Sequence, residues 1–365
     1  MSLHTKKRIL IFSTAYFPLV GGAEIAVKEI TDRLPEYEFV MLTARLKRDL
    51  PQEERIGNVL VHRIGWGNRF DKLLLTVLGP LLAKRLGAFD LVWSIMASYS
   101  GFAAVRYCFH HPRVPYLLTL QEGDSRWDIY KHVWWCWPLF KRIFTRASHI
   151  QTISHYLARW AKEMGAKCPI DVVPNGVSLE TFYPLETIQK RRNIITVSRL
   201  VKKNGIDILI QALEHLPHDV TLTIVGAGRD EKKLKRLANL IHATARVRFL
   251  GLLPQERIVE VLRTAAVFCR PSRSEGLGNA FLEAMAVGLP AVGTPVGGIP
   301  DFLHDGETGI FCRVNDPKDI AEKIQRIMDG PELAKRLREN AKRLVQEQYE
   351  WGLIAQKMKN IFETL

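Results

Sequence analysis

Residues 272–290 read SRSEGLGNAFLEAMAVGLP. Two acids, Glu275 and Glu283, stand eight positions apart in a largely small and apolar run, with Gly276 and Gly278 between them and Gly288 near its end. The run follows AVFCR, an apolar segment that reads as a buried strand, so the glycines form a strand-to-helix turn and the helix begins near Asn279. Gly276 and Gly278 allow backbone to approach a ligand closely. The free N–H groups and dipole of the helix start suit a phosphate. Glu283 falls just over one turn into the helix, where a carboxylate can accept two hydrogen bonds from a ribose diol. This is the division of labour of dinucleotide-binding turns. A solvated helix position is the plainer reading of Glu283. Its neighbours Phe281, Leu282, Ala284, Met285, Ala286 and Val287 argue against it, since they leave no evident polar face.

The same punctuation extends over the chain. Short β-branched runs (RILIFS, EFVMLTA, VLVHRI, LVWSIM, PYLLTL, HIQTIS, IDVVPN) alternate with helical spacings such as Ala23 to Leu34 and Tyr156 to Met164. Strands apolar on both faces with helical crossovers predict a parallel sheet. The pattern restarts with NIITVS, TLTIVG, VRFLG, AVFCR, PAVGT and TGIFCR. Between the two sets NGVSLETFYPLETIQKRR has no period, so a linker is expected near 180–192. Pro317 to Leu365 reads as helical and charged. Two α/β domains, each a doubly wound Rossmann-like parallel sheet, follow from a length of 365 residues and this restart. Ligands of such sheets sit at the carboxyl ends of strands, where glycine turns open helices. Besides 272–290, Gly21–Glu24 (with Gly22) and Gly226–Arg229 fit. Any one such turn is also plain turn chemistry; their joint placement carries more.

Composition narrows the class. A hydrophobic share of 47% and a charged share of 25% describe a globular protein. The formal charge of +14 divides into +8 for residues 1–190 and +6 for 191–365, so it is dispersed and suits anionic ligands or an anionic membrane surface. With no aromatic–basic RNP-like motif, no nucleic-acid partner is expected. The five cysteines are scattered without a C-x-x-C, which points to a reducing, cytoplasmic compartment. The N-terminal KKRILIFSTAYFPLVGG has the charge order of a signal peptide, but Thr14, Tyr16 and Pro18 interrupt its apolar run, so Arg8 to Ser13 reads as a first buried strand. No stretch of about 18 apolar residues is long enough to span a bilayer.

The run PSRSEGLGNAFLEAMAVGLPAVGTPVGGIPDFLHDGETG resembles the E-x₇-E signature of glycosyltransferase family 4. GGAE near the start, VVPNGVSLETF, TVSRLVKKNGIDILIQA and LTIVGAGRDEKKLKRLA extend the resemblance over essentially the whole chain. It implies a GT-B fold of two Rossmann-like domains facing across a cleft, and a retaining transferase. It implies an acceptor-binding domain over 1–185, a nucleotide-sugar domain over 186–348, and a helix over 349–365 packing back on the first. The co-substrate would be a UDP- or GDP-linked sugar, with no further cofactor. Glu283 would bind the donor ribose and Glu275 hydroxyls of the transferred sugar. Amides around Gly276, Leu277, Gly278 and Asn279 would hold sugar and pyrophosphate. Arg199 would pair with the pyrophosphate, Gly22 would let the first loop close over it, Gly226 would line the donor site, and the base would lie near FLGLLP, 249–254. Two positions depart from the family pattern. Asn204 stands where the family has lysine before glycine, so Lys203 is expected to supply that cation. Gln121 stands in TLQEGD where the family often has histidine, with Glu122 and Asp124 as further acceptor-side candidates.

Breaking a nucleotide–sugar bond builds negative charge on the leaving diphosphate, where preorganised cations and amides act most strongly. No D-x-D occurs, so Arg199, Lys203 and the helix N-terminus are expected to replace a metal, with Glu275 completing the catalytic set. Retention can proceed through a carboxylate nucleophile or by front-side attack; no nucleophile is evident, which favours the latter. A GT-B-like epimerase or glycosyl phosphorylase would share the cleft and is the alternative activity. Finally, IYKHVWWCWPLFKRIF at 129–144 and RFDKLLLTVLGPLLAKR at 69–85 set tryptophans and leucines among basic residues. That is the composition of an interfacial segment. It is also the composition of crossover helices packed on a core. The first reading implies peripheral association with the inner face of a membrane and a glycan or lipid-linked acceptor.

Overall fold

The computed structural model describes residues 6–184 and 192–365, so most of the expected linker, including the 185/186 boundary, lies outside the described residues. The chain divides into two compact units, Met1–Glu122 with Arg126–Asn175 and Trp351–Leu365, and Gly123–Ser125 with Gly176–Glu350.

The first unit contains β1 (Arg8–Ser13), α1 (Gly22–Asp32), β2 (Glu38–Ala44), β3 (Glu53–Ile56), β4 (Val59–Ile64), α2 (Asp71–Arg85), β5 (Leu91–Ile95), α3 (Tyr99–His110), β6 (Tyr116–Leu120), α4 (Arg126–Val133), α5 (Trp137–Thr145), β7 (His149–Thr152), α6 (His155–Glu163) and β8 (Ile170–Val172). They form one sheet in the order β3-β4-β2-β1-β5-β6-β7-β8. All pairings are parallel except β3 with β4. The parallel sheet read from the sequence is present, with this one antiparallel strand added at its edge. Glu53–Ile56 is a charged edge strand, EERI, with no apolar run to betray it. It turns back through Gly57, at φ +57°, straight into β4. β1 is buried on both faces, and its side chains alternate between two cores. Ile9 and Ile11 meet α1, while Phe12 lies against Tyr107 of α3.

The second unit contains β9 (Asn193–Val197), α7 (Ile206–Ala212), β10 (Thr221–Val225), α8 (Glu231–Leu240), β11 (Val247–Gly251), α9 (Gln255–Arg263), β12 (Val267–Arg270), α10 (Asn279–Ala286), β13 (Ala291–Gly293), β14 (Ile310–Phe311), α11 (Pro317–Asp329) and α12 (Pro331–Gln348). Its sheet is wholly parallel, in the order β11-β10-β9-β12-β13-β14. Strand order reverses between β9 and β12, the switch point at which doubly wound sheets hold ligands.

The last helix, α13 (Trp351–Thr364), belongs to the first unit. Trp351, Ile354, Met358, Ile361 and Phe362 recur at helical spacing and close the core against α1 and the sheet. The Phe362 ring lies 5.2 Å from Trp93, 5.7 Å from Tyr37 and 6.2 Å from Phe39, centroid to centroid. Truncating a buried phenylalanine removes transfer free energy and leaves a cavity, about 3–5 kcal/mol together. Phe362→Ala should therefore speed hydrogen exchange in β1, β2 and β5 while leaving β9 and β10 protected as in the wild type. Equal loss in both sheets would show that the helix stabilises more than the first unit.

Candidate active site

Two loops of the second unit, one after β9 and one after β12, carry most of the singled-out residues. The first is closed by backbone. Ser198 N donates to Val225 O at 3.0 Å and Leu200 N to Ala227 O at 2.9 Å, drawing it against the turn after β10. That approach requires glycine at 226, where φ is +126° and a Cβ would fall 2.0 Å from Ser198 O. The loop ends in a 3₁₀ turn, Lys202–Asn204, followed by Gly205 at φ +69°. Asn204 is buried and donates through Nδ2 to the Arg199 carbonyl at 2.7 Å. Its side chain thus braces the loop, while Lys203 Nζ reaches Asp124 Oδ1 at 2.8 Å. Arg273 couples this loop to the one after β12. Its guanidinium grips Asp207 with two 2.8 Å bonds, and its backbone N donates to Lys203 O at 2.6 Å.

Asp124 lies in a positive field. Burial pushes its carboxyl up, but the Lys203 hydrogen bond and the charges of Lys203, Arg199 and Arg229 outweigh it, leaving the group below the usual carboxylate range. Arg199 and Arg229 are exposed. A Cβ placed on Gly123 would lie 3.1 Å from Lys203 Nζ, 3.4 Å from the Gly276 nitrogen and 3.5 Å from Glu275 Oε1. An ammonium, an amide and a carboxylate thus converge on one small volume.

The second loop is held just as firmly. Arg270, at the carboxyl end of β12, is buried and donates to Glu275 Oε2 at 2.6 Å and to Val197 O at 3.3 Å. Glu275 Oε1 accepts from Gly276 N at 3.2 Å, and the Glu275 carbonyl accepts from Gly298 N at 3.3 Å. At Gly297, φ +60°, a Cβ would stand 1.7 Å from that carbonyl oxygen, so only glycine fits. Gly278 caps α10 at φ +108°, and Asn279 opens the helix. Within α10, Glu283 keeps some exposed surface among buried neighbours. Burial pushes its carboxyl up to about 7, against the opposing pull of Arg270.

The remaining singled-out residues are dispersed. Leu277 is buried, so its side chain packs while its backbone stays in the loop. In 249–254, Gly251 O accepts from Gly226 N at 2.7 Å and Leu252 is exposed. Gly22, Gln121 and Glu122 belong to the first unit. Gly22 is the first residue of α1, beside Gly21, whose N donates to Glu24 Oε2 at 2.7 Å. Gln121 Oε1 accepts from Asn175 Nδ2 at 3.1 Å. Glu122 is buried and accepts from the Ala97 backbone N, so one oxygen of this acceptor-side candidate serves the scaffold. Asp124, the third acceptor-side candidate, is paired with Lys203. Arg270 was not singled out from the sequence. The available signal was a lone charge ending the apolar strand VFCR, where parallel strands present ligand-facing groups. Among the described residues no group of three or more His, Cys, Asp or Glu is placed to hold a metal.

Comparison with known proteins matches the sequence to a family. Residues 180–344 match the model for glycosyl transferases group 1, and residues 20–181 match that for glycosyltransferase family 4. An uncharacterized glycosyltransferase of Methanocaldococcus jannaschii is 27% identical over 98% of each chain. A GDP-mannose-dependent monoacylated α-(1-6)-phosphatidylinositol monomannoside mannosyltransferase of Corynebacterium glutamicum is 28% identical over 61% of this chain and 64% of its own. Anabaena HepE, solved with UDP-glucose, superposes with a TM-score of 0.83 at 18% identity, covering 98% of this chain and all of that one, and so shares the fold. The chain belongs to the group 1, family 4 glycosyltransferases and has their GT-B type of two parallel-sheet α/β domains.

The raised Glu283 carboxyl has a checkable sign. Its ordinary value is 4.5 and its folded value about 7, so the folded state holds this proton more tightly than the unfolded one. The associated stability is full below about pH 4.5 and is lost as pH rises to about 7. Glu283→Gln, which cannot ionise, should therefore gain on the wild type in thermal unfolding as pH rises over that interval, the gap levelling off above it. A pH-independent gap would show that the carboxyl titrates normally.

Proposed function

We propose that this glycosyltransferase moves a hexosyl unit from a UDP- or GDP-linked sugar to a hydroxyl of a glycan or lipid-linked acceptor, with retention and without a metal. The observation that carries the reading is the convergence of Lys203 Nζ, the Gly276 amide and Glu275 Oε1 beside the N-terminus of α10. In this reading Arg199, Lys203, the amides from Gly276 to Asn279 and the start of α10 receive the pyrophosphate, displacing Asp124 from Lys203. Such groups are worth most where charge develops on the leaving oxygen. Glu275 faces hydroxyls of the sugar, and Glu283 accepts from the ribose diol; binding two donors there favours the ionised form that burial disfavours. Gly226 lines the donor site, and Gly22 remains a donor-binding candidate on the first unit. Gln121, Glu122 and Asp124 are the acceptor-side candidates, with one Glu122 oxygen also fixing its loop through Ala97 N. The sugar–phosphate bond breaks as the acceptor oxygen bonds to the anomeric carbon on the same face, and the acceptor proton passes to the leaving phosphate oxygen. HepE with UDP-glucose and the GDP-mannose-dependent relative support a nucleotide sugar and leave both bases to be tried.

The test is turnover and binding with UDP-glucose and GDP-mannose, with and without EDTA. Activity should survive chelation. Glu283→Ala should weaken nucleotide binding about 10- to 100-fold, as expected for a lost charged hydrogen-bond partner. Arg199→Ala and Lys203→Ala should depress turnover about 100-fold or more. Abolition by EDTA and rescue by metal would overturn metal independence, and wild-type nucleotide affinity in Glu283→Ala would overturn the ribose assignment.

The first unit supports the membrane part of the reading. No helix of the described residues is long and apolar enough to cross a membrane. On α2, however, Leu73, Val77 and Leu81 form an exposed stripe at four-residue spacing, with exposed Lys84 and Arg85 at its end. Trp66 is exposed on the preceding loop, which Asp71 ties down by accepting from the N–H groups of Trp66, Gly67 and Asn68. Within 129–144, Cys136, Phe140, Ile143 and Phe144 pack inward. Trp134 and Trp135, 75% and 71% exposed, stand outside with Lys131, Lys141 and Arg142. The segments thus serve both readings, one face packing the core and the other suiting an anionic interface on the cytoplasmic side. Sedimentation with liposomes should show binding that rises with anionic lipid, weakens with salt and falls in the Trp134→Ala, Trp135→Ala variant. No binding to any vesicle would leave a soluble acceptor as the better reading.

A further inference from the structure

Arg270 is the least explained charge in the second unit. A guanidinium needs carboxylate and carbonyl partners to be held away from water. This one is buried at the end of β12, with one nitrogen on Glu275 Oε2 at 2.6 Å, one on the Val197 carbonyl at 3.3 Å, and its carbon 5.1 Å from the centre of the Phe281 ring. Its Nε has no partner among the described residues. Those contacts span β9, the loop after β12 and α10, the three elements from which the candidate site hangs.

The surroundings are built around this pair. A Cβ at Gly278 would lie 3.0 Å from Arg270 Nη2 and 3.5 Å from Glu275 Cγ, on a backbone at φ +108°. One glycine of the EGLG turn thus makes room for a protein ion pair, quite apart from any ligand. The pair divides the carboxylate. Oε2 is turned inward to Arg270, while Oε1 stays at the point where Lys203 Nζ and the Gly276 nitrogen converge.

We propose that Arg270 is a positioning residue for sugar recognition: it locks the Glu275 carboxylate so that Oε1 alone faces the transferred hexose. This inference rests on the nucleotide-sugar reading above and adds to it. Arg270 touches no substrate; it acts through Glu275. Without the lock, Glu275 would lose its charged partner and its fixed rotamer, and the contact most affected would be the one to the sugar. The nucleoside diphosphate, held by Arg199, Lys203 and the start of α10, would be affected less, feeling Arg270 only through its longer-range pull on Glu283. Lysine at 270 restores a cation for Glu275 but has no fork to hold Val197 O as well, so it should restore part of the effect.

The experiment compares binding of UDP and GDP with binding and turnover of UDP-glucose and GDP-mannose in the wild type, Arg270→Met, Arg270→Lys, Glu275→Gln and the Arg270→Met, Glu275→Gln double variant, with thermal unfolding of each. Arg270→Met should keep nucleoside diphosphate affinity within about threefold while losing about 10- to 100-fold in kcat/KM for the nucleotide sugar. Glu275→Gln should lose a similar factor, the double variant should be no worse than either single one, and Arg270→Lys should fall between wild type and Arg270→Met. Losses that multiply in the double variant would overturn the proposal. So would equal losses for diphosphate and nucleotide sugar in the well-folded Arg270→Lys protein, since either result makes Arg270 scaffold alone. Should Arg270→Met not fold, the Lys and Gln variants still decide by the same comparison. A wild type that binds UDP and GDP but no sugar-linked form overturns this inference without touching the nucleotide site, whereas a wild type that binds none of the four probes overturns the nucleotide-sugar reading with it.

Discussion

The pairing of β9 with β12 is the constraint on which the site depends. The two strands run side by side in parallel, with Ile194 opposite Val267 and Ile195 opposite Phe268. Both end at the same edge, and strand order reverses between them. Crossovers must leave in opposite directions there, so the two loops diverge and leave open the ground above the sheet. Arg199 and Lys203 come from one loop, Glu275 to Asn279 from the other, and Arg273 joins them by donating to Lys203 O and gripping Asp207.

Charge is distributed over this ground unevenly, and that unevenness is chemically useful. Lys203, Arg199 and Arg229 act together on the Asp124 carboxylate and hold it below the usual carboxylate range, so the field at that spot favours an anion. Glu283 is the counterpart, a carboxyl that burial holds near neutrality and Arg270 partly relieves. A protein built only for stability gains nothing from a carboxyl in that position. A partner that brings hydrogen-bond donors to it would turn the unfavourable burial into selective affinity.

The first unit is organised differently. Its sheet is covered on one side by α1 and α13, where the rings of Tyr37, Phe39, Trp93 and Phe362 meet. On α2, Leu75, Gly79 and Ala83 face inward while Leu73, Val77 and Leu81 face out. An apolar stripe left on the outside of a helix that already has a buried face is unusual unless something covers it.

Much of this was legible in the chain itself, because local physics governs it. Runs such as ILIF in β1 and FVML in β2 are apolar at every position, and only a strand covered on both faces calls for that, so strands and parallel pairing could be read directly. The glycine turns could be placed for a related reason: positive φ at Gly226 and Gly278 excludes most other residues. The edge strand Glu53–Ile56 escaped because it is charged and takes its conformation from its neighbour β4 rather than from its own pattern. Other features depend on residues distant in sequence. That Asn204 turns inward to brace Arg199 while Lys203 points out to Asp124, that Glu122 bonds to Ala97, and that Arg270 ends up beneath Glu275 are all results of packing. Sequence by itself determined which segments are strands and helices and which turns need glycine, since those are properties of neighbouring residues. Only the tertiary structure decided which charges meet, because a buried guanidinium chooses its partner by what the folded chain brings within about 3 Å of it.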